Sequence, residues 1–238
     1  MVNMKKLKSI TSKYKPAFIG FHTHTLLSDG ELLPSELVRR AEAKGYTAIA
    51  LTDHVDSSNI DFVLPRIVKV CKVLNRAWKI IAIPGVEITH TPLSDIGPLV
   101  KFARKNGAKI VVVHGETVSE PVIPGTNRAA IEARCDILAH PGMITARDAA
   151  LAGKRGVYLE ITTRRNHAEP NRHVLKMARL SGARTVLNTD AHCGDDLVTE
   201  AEARRYLKGI GMSGPDIAEL LNNSVDLLKT INVNAVKN

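Results

Sequence analysis

The chain has 238 residues, of which 44% are hydrophobic and 24% are charged, a composition typical of globular proteins. This length is sufficient for one large α/β domain, so a second domain is not required. No apolar run approaches the roughly 18 residues that a membrane-spanning helix needs, and the N-terminal segment lacks the apolar stretch of a secretory signal. We therefore expect a cytoplasmic protein with no membrane partner.

The formal net charge is +9, and a basic surface favours anionic partners such as phosphate esters or nucleic acid. The chain contains four Phe, four Tyr and one Trp, and it lacks the alternation of aromatic and basic residues that stacks single-stranded bases. Charge alone therefore leaves two alternatives open, an anionic partner or a surface that is simply well solvated.

Seven short apolar runs alternate with amphipathic segments from residue 17 onward. The runs are rich in Ile, Val, Leu and Ala and do not alternate with polar residues, a pattern typical of parallel strands covered on both faces. The predicted strands are 17–22, 47–52, 79–86, 108–113, 135–139, 156–161 and 184–189.

Helical periodicity fills the segments between these strands. Pro34 and Glu36 mark the start of the first predicted helix, and Gly45 marks its end. The other predicted helices are 62–77, 94–106, 127–134, 145–154, 171–181, 199–208 and 215–231. Seven β/α units in series predict an α/β barrel rather than an open sheet. We expect a single barrel domain at 16–238, preceded by a basic arm at 1–15.

Six of the nine histidines stand where these apolar runs end. They are His22, His24, His54, His114, His140 and His192, and Glu87 and Asp190 occupy equivalent positions. Because the C-terminal ends of parallel barrel strands meet at one mouth, these side chains are expected to converge there. His22 and His24 are two residues apart, so their rings face the same side of an extended strand. Nitrogen and oxygen donors without thiolates favour zinc, manganese or iron in open, catalytic coordination.

Six short motifs connect the chain with a known family. In chain order they are H-T-H-T…S-D-G, T-D-H, P-G-V-E, V-V-H, L-A-H-P-G and N-T-D-A-H. From Phe18 to about Leu228, the chain resembles the PHP (polymerase and histidinol phosphatase) family. The resemblance implies a distorted, TIM-like (β/α)7 barrel that holds three divalent ions, Zn²⁺, Mn²⁺ or Fe²⁺.

The resemblance also implies how the ligands are divided among the three ions. The first ion would be held by His22, His24, Glu87 and Asp190. Glu87 would bridge to a second ion, held by His114 and His140. The third ion would be held by Asp29, His54 and His192. Asp29 stands where some family members have a histidine, which makes the third ion the most exchangeable.

This ligand set predicts a metal-dependent hydrolase of phosphoric ester bonds. Bound cations lower the pKa of a coordinated water and stabilise the charge that develops on phosphoryl oxygens. The hypothesis is therefore hydrolysis of a phosphorylated small molecule, a histidinol-phosphate- or nucleotide-like monoester, by metal-bound hydroxide. Asp29 and His192 are the candidates for protonating the leaving group.

The loop after the sixth predicted strand is expected to contact the substrate through Arg164, Arg165 and His167. An arginine there could clamp a phosphate bidentately, although a pair of merely exposed arginines fits equally well. Asp53 is expected to orient a histidine ligand, and Glu116 is expected to be solvated.

Two other functions stay open. A nuclease or phosphodiesterase acting on nucleic acid is favoured by the basic charge but not by the low aromatic content. An RNA-binding subunit without catalysis, like the archaeal ribonuclease P protein that resembles this barrel, is expected to lack the full ligand set. The nine ligands found here therefore favour an enzyme. The sequence predicts neither the substrate nor the oligomeric state.

Overall fold

The strands of the protein form one parallel sheet that curls into a barrel. A computed structural model describes residues 18–231, so the predicted basic arm at 1–15 lies outside the described residues. The strands are β1 (Phe18–Gly20), β2 (Tyr46–Leu51), β3 (His54–Val55), β4 (Ile81–Ile88), β5 (Ile110–His114), β6 (Ile137–Ala139), β7 (Tyr158–Thr162) and β8 (Thr185–Asn188).

The order around the sheet is β1-β2-β4-β5-β6-β7-β8, and every neighbouring pair is parallel. The two-residue β3 follows β2 closely and pairs with β4, so the strand segments occupy seven positions. Thr23 forms a parallel bridge to Ala191, and the His24 N–H donates to the Ala191 carbonyl at 2.8 Å. The predicted α/β barrel is thus confirmed as a nearly closed, seven-stranded barrel in a single domain.

The helices follow the strands in the predicted alternation. They are α1 (Pro34–Ala43), α2 (Ile60–Ala77), α3 (Leu93–Lys105), α4 (Thr126–Glu132), α5 (Ala146–Arg155), α6 (Asn171–Ser181), α7 (Glu200–Gly209) and α8 (Gly214–Thr230), with a 3-10 turn at Arg165–His167. Thr199 and Ser213 begin α7 and α8 with capping boxes, which satisfy free N–H groups at the helix starts. Among residues 18–231, no helix combines the length and apolar character that a bilayer span demands.

Alternation along the strands divides the apolar core into two parts. Ile49 and Leu51 of β2 pack in the larger cluster with the surrounding helices, whereas Ala48 and Ala50 belong to a smaller cluster with residues of the other strands. Leu227, at the end of α8, also packs into the smaller cluster. Apolar side chains therefore fill the barrel interior below its C-terminal mouth, where the polar residues collect.

Candidate metal centre

All nine predicted ligands lie at the C-terminal end of the barrel strands. Glu87 lies within β4, His54 begins the short β3 and His114 is the last residue of β5, whereas the others follow strand ends. Eight of the nine are buried or partly buried, Asp29 being the exception, and His22, His24 and Glu87 have no solvent-exposed surface. The structure therefore brings together the side chains that the sequence places at separate strand ends.

The deepest group consists of His22, His24, Glu87 and Asp190. The His22 Nε2 lies 3.3 Å from Glu87 Oε2 and 3.5 Å from Asp190 Oδ1. The His24 Nε2 lies 3.0 Å from the same Asp190 oxygen and 3.6 Å from Glu87 Oε2. Two donors bonded to one cation at about 2.1 Å are held roughly 3.0–3.5 Å apart, so these separations match a shared divalent ion.

The hydrogen-bonding state of this group supports the same fit. Within residues 18–231, His22 Nε2, His24 Nε2 and both Glu87 oxygens are buried and have no hydrogen-bond partner. A buried polar atom left unpaired costs about 1–3 kcal/mol, and more when it is charged. Cations would satisfy these atoms together, so the donor set fits a metal centre.

Two further groups extend from the deepest one. The Glu87 Oε1 lies 3.4 Å from His114 Nδ1 and 3.7 Å from His140 Nε2. On the other side, Asp29 Oδ2 lies 3.1 Å from His192 Nε2 and 3.7 Å from His54 Nε2. The Asp29 side chain is 54% exposed, so this last group lies at the solvent edge of the centre.

Two of the predicted ligands have strained backbones. His140 and Asp190 have φ values of 25° and 48°, in the left-handed region that non-glycine residues rarely adopt. Such conformations cost about 1–3 kcal/mol and persist where the surrounding structure enforces them, often at functional sites. Both side chains thereby reach the group around Glu87.

Glu160, in β7, is a site residue that the sequence analysis missed. Its Oε1 accepts hydrogen bonds from His22 Nδ1 and Asn188 Nδ2, both at 2.8 Å, and its Oε2 accepts from the His140 backbone N–H at 3.0 Å. Holding the proton of His22 on Nδ1 leaves the Nε2 lone pair facing Glu87 and Asp190. An acidic residue inside the apolar run V-Y-L-E-I-T was the available signal.

Replacing Glu160 with Gln should weaken metal binding while the barrel stays folded. The amide can still contact its neighbours, but it no longer polarises the His22 ring, and losing such a partner typically costs 10–100-fold in metal affinity. Competition with a chromophoric chelator would measure the change. Wild-type affinity in a folded Glu160→Gln protein would contradict the orienting role.

Asp53 and Glu116 organise the loops that carry ligands. Asp53 Oδ1 accepts hydrogen bonds from the Thr25 N–H at 2.7 Å and the Ser28 hydroxyl at 3.0 Å, and so fixes the loop that leads to Asp29. Glu116 is not simply solvated as expected, because its Oε1 accepts the Asn127 N–H at 2.8 Å at the start of α4.

Two of the three predicted substrate-binding residues lie at the pocket, and the third does not. Arg164 and His167 line the pocket, which has a volume of about 440 Å³, whereas Arg165 is exposed and is not among the residues that line it. The Arg164 Nη1 donates to Asp196 Oδ2 at 2.9 Å, and this same oxygen accepts the His192 N–H. Arg164 is therefore tied to the loop that carries His192.

Glu120 and His90 also line the pocket, although neither belongs to a recognised motif. The Glu120 Oε2 lies 2.9 Å from His90 Nε2 and 3.1 Å from His114 Nε2, while its Oε1 lies 3.4 Å from His167 Nε2. Contact with His114, together with the neighbouring histidine charges, lowers the pKa of Glu120 to about 2. The carboxylate is therefore ionised among three imidazoles.

Carboxylates control the protonation of the histidines in the metal-free protein. Burial opposes the charging of His22, yet Glu87 and Glu160 hold its pKa well above the usual value. Burial likewise opposes the charging of His114, but its contacts with Glu120 and Glu87 raise its pKa to about 9. Both rings are therefore protonated on both nitrogens, as imidazolium ions, at neutral pH when no cation is bound.

Metal binding at pH 7 should consequently release protons. A histidine ligand must offer a lone pair, so a cation displaces the ring proton, and affinity falls as the pH is lowered. We expect release of about one proton or more per chain on zinc binding. Calorimetric titrations in PIPES and in Tris, which differ in ionisation enthalpy, would count these protons. Equal heats in the two buffers would contradict the expectation.

Comparison with known proteins agrees with this architecture. Residues 20–114 match the PHP domain. The chain is 44% identical over 214 residues to the uncharacterized protein MJ1295 of Methanocaldococcus jannaschii, covering 89% of this chain and 98% of that protein. It is 35% identical over 128 residues to ribonuclease P protein component 3 of Methanosarcina barkeri, covering 53% of this chain and 46% of that protein.

A protein chain in the cryo-EM structure of archaeal ribonuclease P with mature tRNA has a similar fold. The TM-score is 0.67 at 17% identity, and the match covers 88% of this chain and 90% of that chain. The matched segment 20–114 contains His22, His24, Glu87 and His114. The chain therefore belongs to the PHP domain family.

Proposed function

We propose that the protein is a metal-dependent phosphoesterase that hydrolyses a small phosphate monoester. The observation that carries the proposal is the convergence of nine nitrogen- and oxygen-bearing side chains at one end of the barrel, with buried donor atoms that lack hydrogen-bond partners among residues 18–231. Nothing in a purely structural core requires such a cluster, since unpaired buried polar groups destabilise a fold.

In this proposal the nine ligands would hold three divalent ions. His22, His24, Glu87 and Asp190 would hold the first ion, and Glu87 with His114 and His140 the second. Asp29, His54 and His192 would hold the third. Ions bound there would supply an acidified water and neutralise phosphoryl charge.

The pocket supports a small substrate. Its volume of about 440 Å³ lies in the range of pockets that enclose small ligands. Arg164 and His167 line it beside the ligands, so they would bind and orient the phosphate or the group attached to it. The Arg164 side chain is 28% exposed, so its contact with Asp196 does not cover it completely.

Asp29 and His192 would serve proton transfer to the leaving group. The His192 Nδ1 donates to the Asp190 carbonyl at 2.9 Å, and its Nε2 lies 3.1 Å from Asp29 Oδ2. Burial lowers the pKa of His192, but Asp29 and Asp190 outweigh this effect and raise it above the usual value. When the third position holds no ion, the imidazolium form is thus favoured at the accessible edge of the pocket, where a leaving group would depart. With an ion bound there, His192 would be a ligand and would have no proton to donate.

Chelation followed by metal add-back tests the proposal. Purified protein should hydrolyse p-nitrophenyl phosphate faster than bis(p-nitrophenyl) phosphate, lose this activity in chelator, and regain it with Zn²⁺ or Mn²⁺. Activity retained in fully metal-free protein would refute metal dependence. A preference for the bis ester would refute the monoester assignment and favour a phosphodiesterase.

A second candidate is an RNA-directed function, as a nuclease or as an RNA-binding subunit. The 35% identity to ribonuclease P protein component 3 and the net charge of +9 favour it. Binding of an oligoribonucleotide would weaken steeply as salt rises. Cleavage of that RNA only in the presence of metal would identify a nuclease, and tight binding without cleavage would favour a subunit.

A further inference from the structure

A cluster of His90, His114 and Glu120 lies beside the nine-residue centre and shares only His114 with it. The three side chains offer donor atoms that all lie within 4.8 Å of one another. The Glu120 Oε2 lies 2.9 Å from His90 Nε2 and 3.1 Å from His114 Nε2. His90 and Glu120 are partly exposed, at 42% and 35% of their side-chain surface, so the cluster opens to the pocket.

His114 provides an independent indication that the cluster binds a ligand. Its side chain is only 3% exposed, and within residues 18–231 neither of its ring nitrogens has a hydrogen-bond partner. The Nε2 faces Glu120 closely, but the contact does not have the geometry of a hydrogen bond. A buried ring nitrogen aimed at a carboxylate without bonding to it suits a position between two metal ligands.

The surrounding loops hold the cluster in place. His90 has a φ of 49°, a left-handed conformation that costs free energy and directs its ring over the pocket. The loop that carries Glu120 is fixed to His167, whose Nδ1 contacts Thr117 Oγ1 at 2.7 Å and Ser119 Oγ at 2.8 Å. The donors are therefore positioned by the fold rather than by chance contact of mobile side chains.

The geometry points to a separate, outer divalent-cation site formed by His90 Nε2, His114 Nε2 and Glu120. Two imidazoles and one carboxylate form a ligand set that zinc and other first-row transition ions accept, with the remaining positions left to water. The site needs none of the other eight predicted ligands, and its existence does not depend on the chemistry proposed for the centre.

Sharing His114 links the outer site to the centre. The Nδ1 of this ring faces Glu87 at 3.4 Å, whereas its Nε2 faces Glu120. A neutral imidazole has one lone pair, so His114 serves either the second position of the centre or the outer site. An ion in the outer site therefore removes His114 from the second ion of the centre and lowers the affinity for that ion. Excess zinc in the outer site would thus weaken metal binding at the centre.

Anomalous diffraction at the zinc edge locates the ions directly. Crystals soaked in rising zinc should first show peaks beside Glu87 and then a separate peak bonded to His90 and Glu120. Crystals of His90→Ala should keep the inner peaks and lose the outer one. Inner peaks without an outer peak at saturating zinc would overturn the outer site alone, and an outer peak without inner ones would overturn the centre alone.

Chemical modification gives a test in solution. Diethyl pyrocarbonate should modify the exposed His90, and zinc should protect it, as followed by mass spectrometry of the His90 peptide. In Glu120→Gln, protection should require about 10–100-fold more zinc. The matched control Glu219→Gln, on the exposed face of α8, should behave like wild type. Equal zinc protection in Glu120→Gln and wild type would refute the assignment of Glu120.

Discussion

Replacing Glu87 with Gln should remove most of the bound metal and slow monoester hydrolysis by about a thousandfold, equivalent to about 4 kcal/mol. Glu87 lies within 3.7 Å of ring nitrogens from five histidines, which are His22, His24, His54, His114 and His140. An amide retains the shape of the carboxylate but not its charge. The substitution therefore withdraws the negative charge that two of the three ion positions would share.

Two measurements on the purified Glu87→Gln protein would check this result. Elemental analysis should show a clear loss of bound metal, and kcat/KM for p-nitrophenyl phosphate should fall in parallel. Glu219→Gln, the same chemical change on an exposed surface, should match wild type in both measurements. Full metal content in Glu87→Gln would remove Glu87 from the ligand set, and full activity despite metal loss would refute metal-dependent hydrolysis.

Replacing Gly142 with Ala should destabilise the fold by about 3 kcal/mol or more. Gly142 has a φ of 57°, and a Cβ atom there would lie 1.8 Å from the backbone carbonyl oxygen of Glu116. Because this contact joins the loops after β5 and β6, relief of the clash must separate the segments that follow His114 and His140. We therefore expect weaker metal binding together with the loss of stability.

Gly156→Ala provides the matched control. Gly156 has a φ of 74°, but an added Cβ would meet no atom within 4 Å. The free energy of unfolding of this variant should fall by only about 1–2 kcal/mol, which is the conformational cost of an alanine in the left-handed region. Urea denaturation of the metal-free proteins would give both values. Equal losses of stability in the two variants would mean that the clash between the added Cβ and the Glu116 carbonyl oxygen does not contribute to the destabilisation.

The sequence was sufficient to predict the barrel and the clustering of the ligands, for definite physical reasons. Buried parallel strands must be apolar on both faces, so β5 is visible as the uninterrupted run I-V-V-V before His114. Parallel strands also direct their C-terminal ends to one mouth, so a histidine that ends a run has a predictable location. His114 and His140 were found in this way.

Contacts made by loops could not be predicted in the same way. Glu120 and His90 come together through the path of two loops and a left-handed backbone at His90, and no periodicity encodes either. Asp53 was expected to orient a histidine, but its hydrogen bonds hold the Thr25–Ser28 turn instead, which depends on how that loop folds back. Glu160 was overlooked because its strand contains no ligand.

The closure between the first and last strands would give a bound ion a structural role. Where β1 and β8 meet, the Phe21 N–H donates to Asn188 Oδ1, a contact between residues 167 positions apart in the chain. Just above this junction, His22 and His24 arrive from one side and Asp190 from the other. An ion held by both sides would cross-link the first and last strands of the barrel, which lie far apart in the sequence. Its binding free energy would therefore add directly to the free energy of folding.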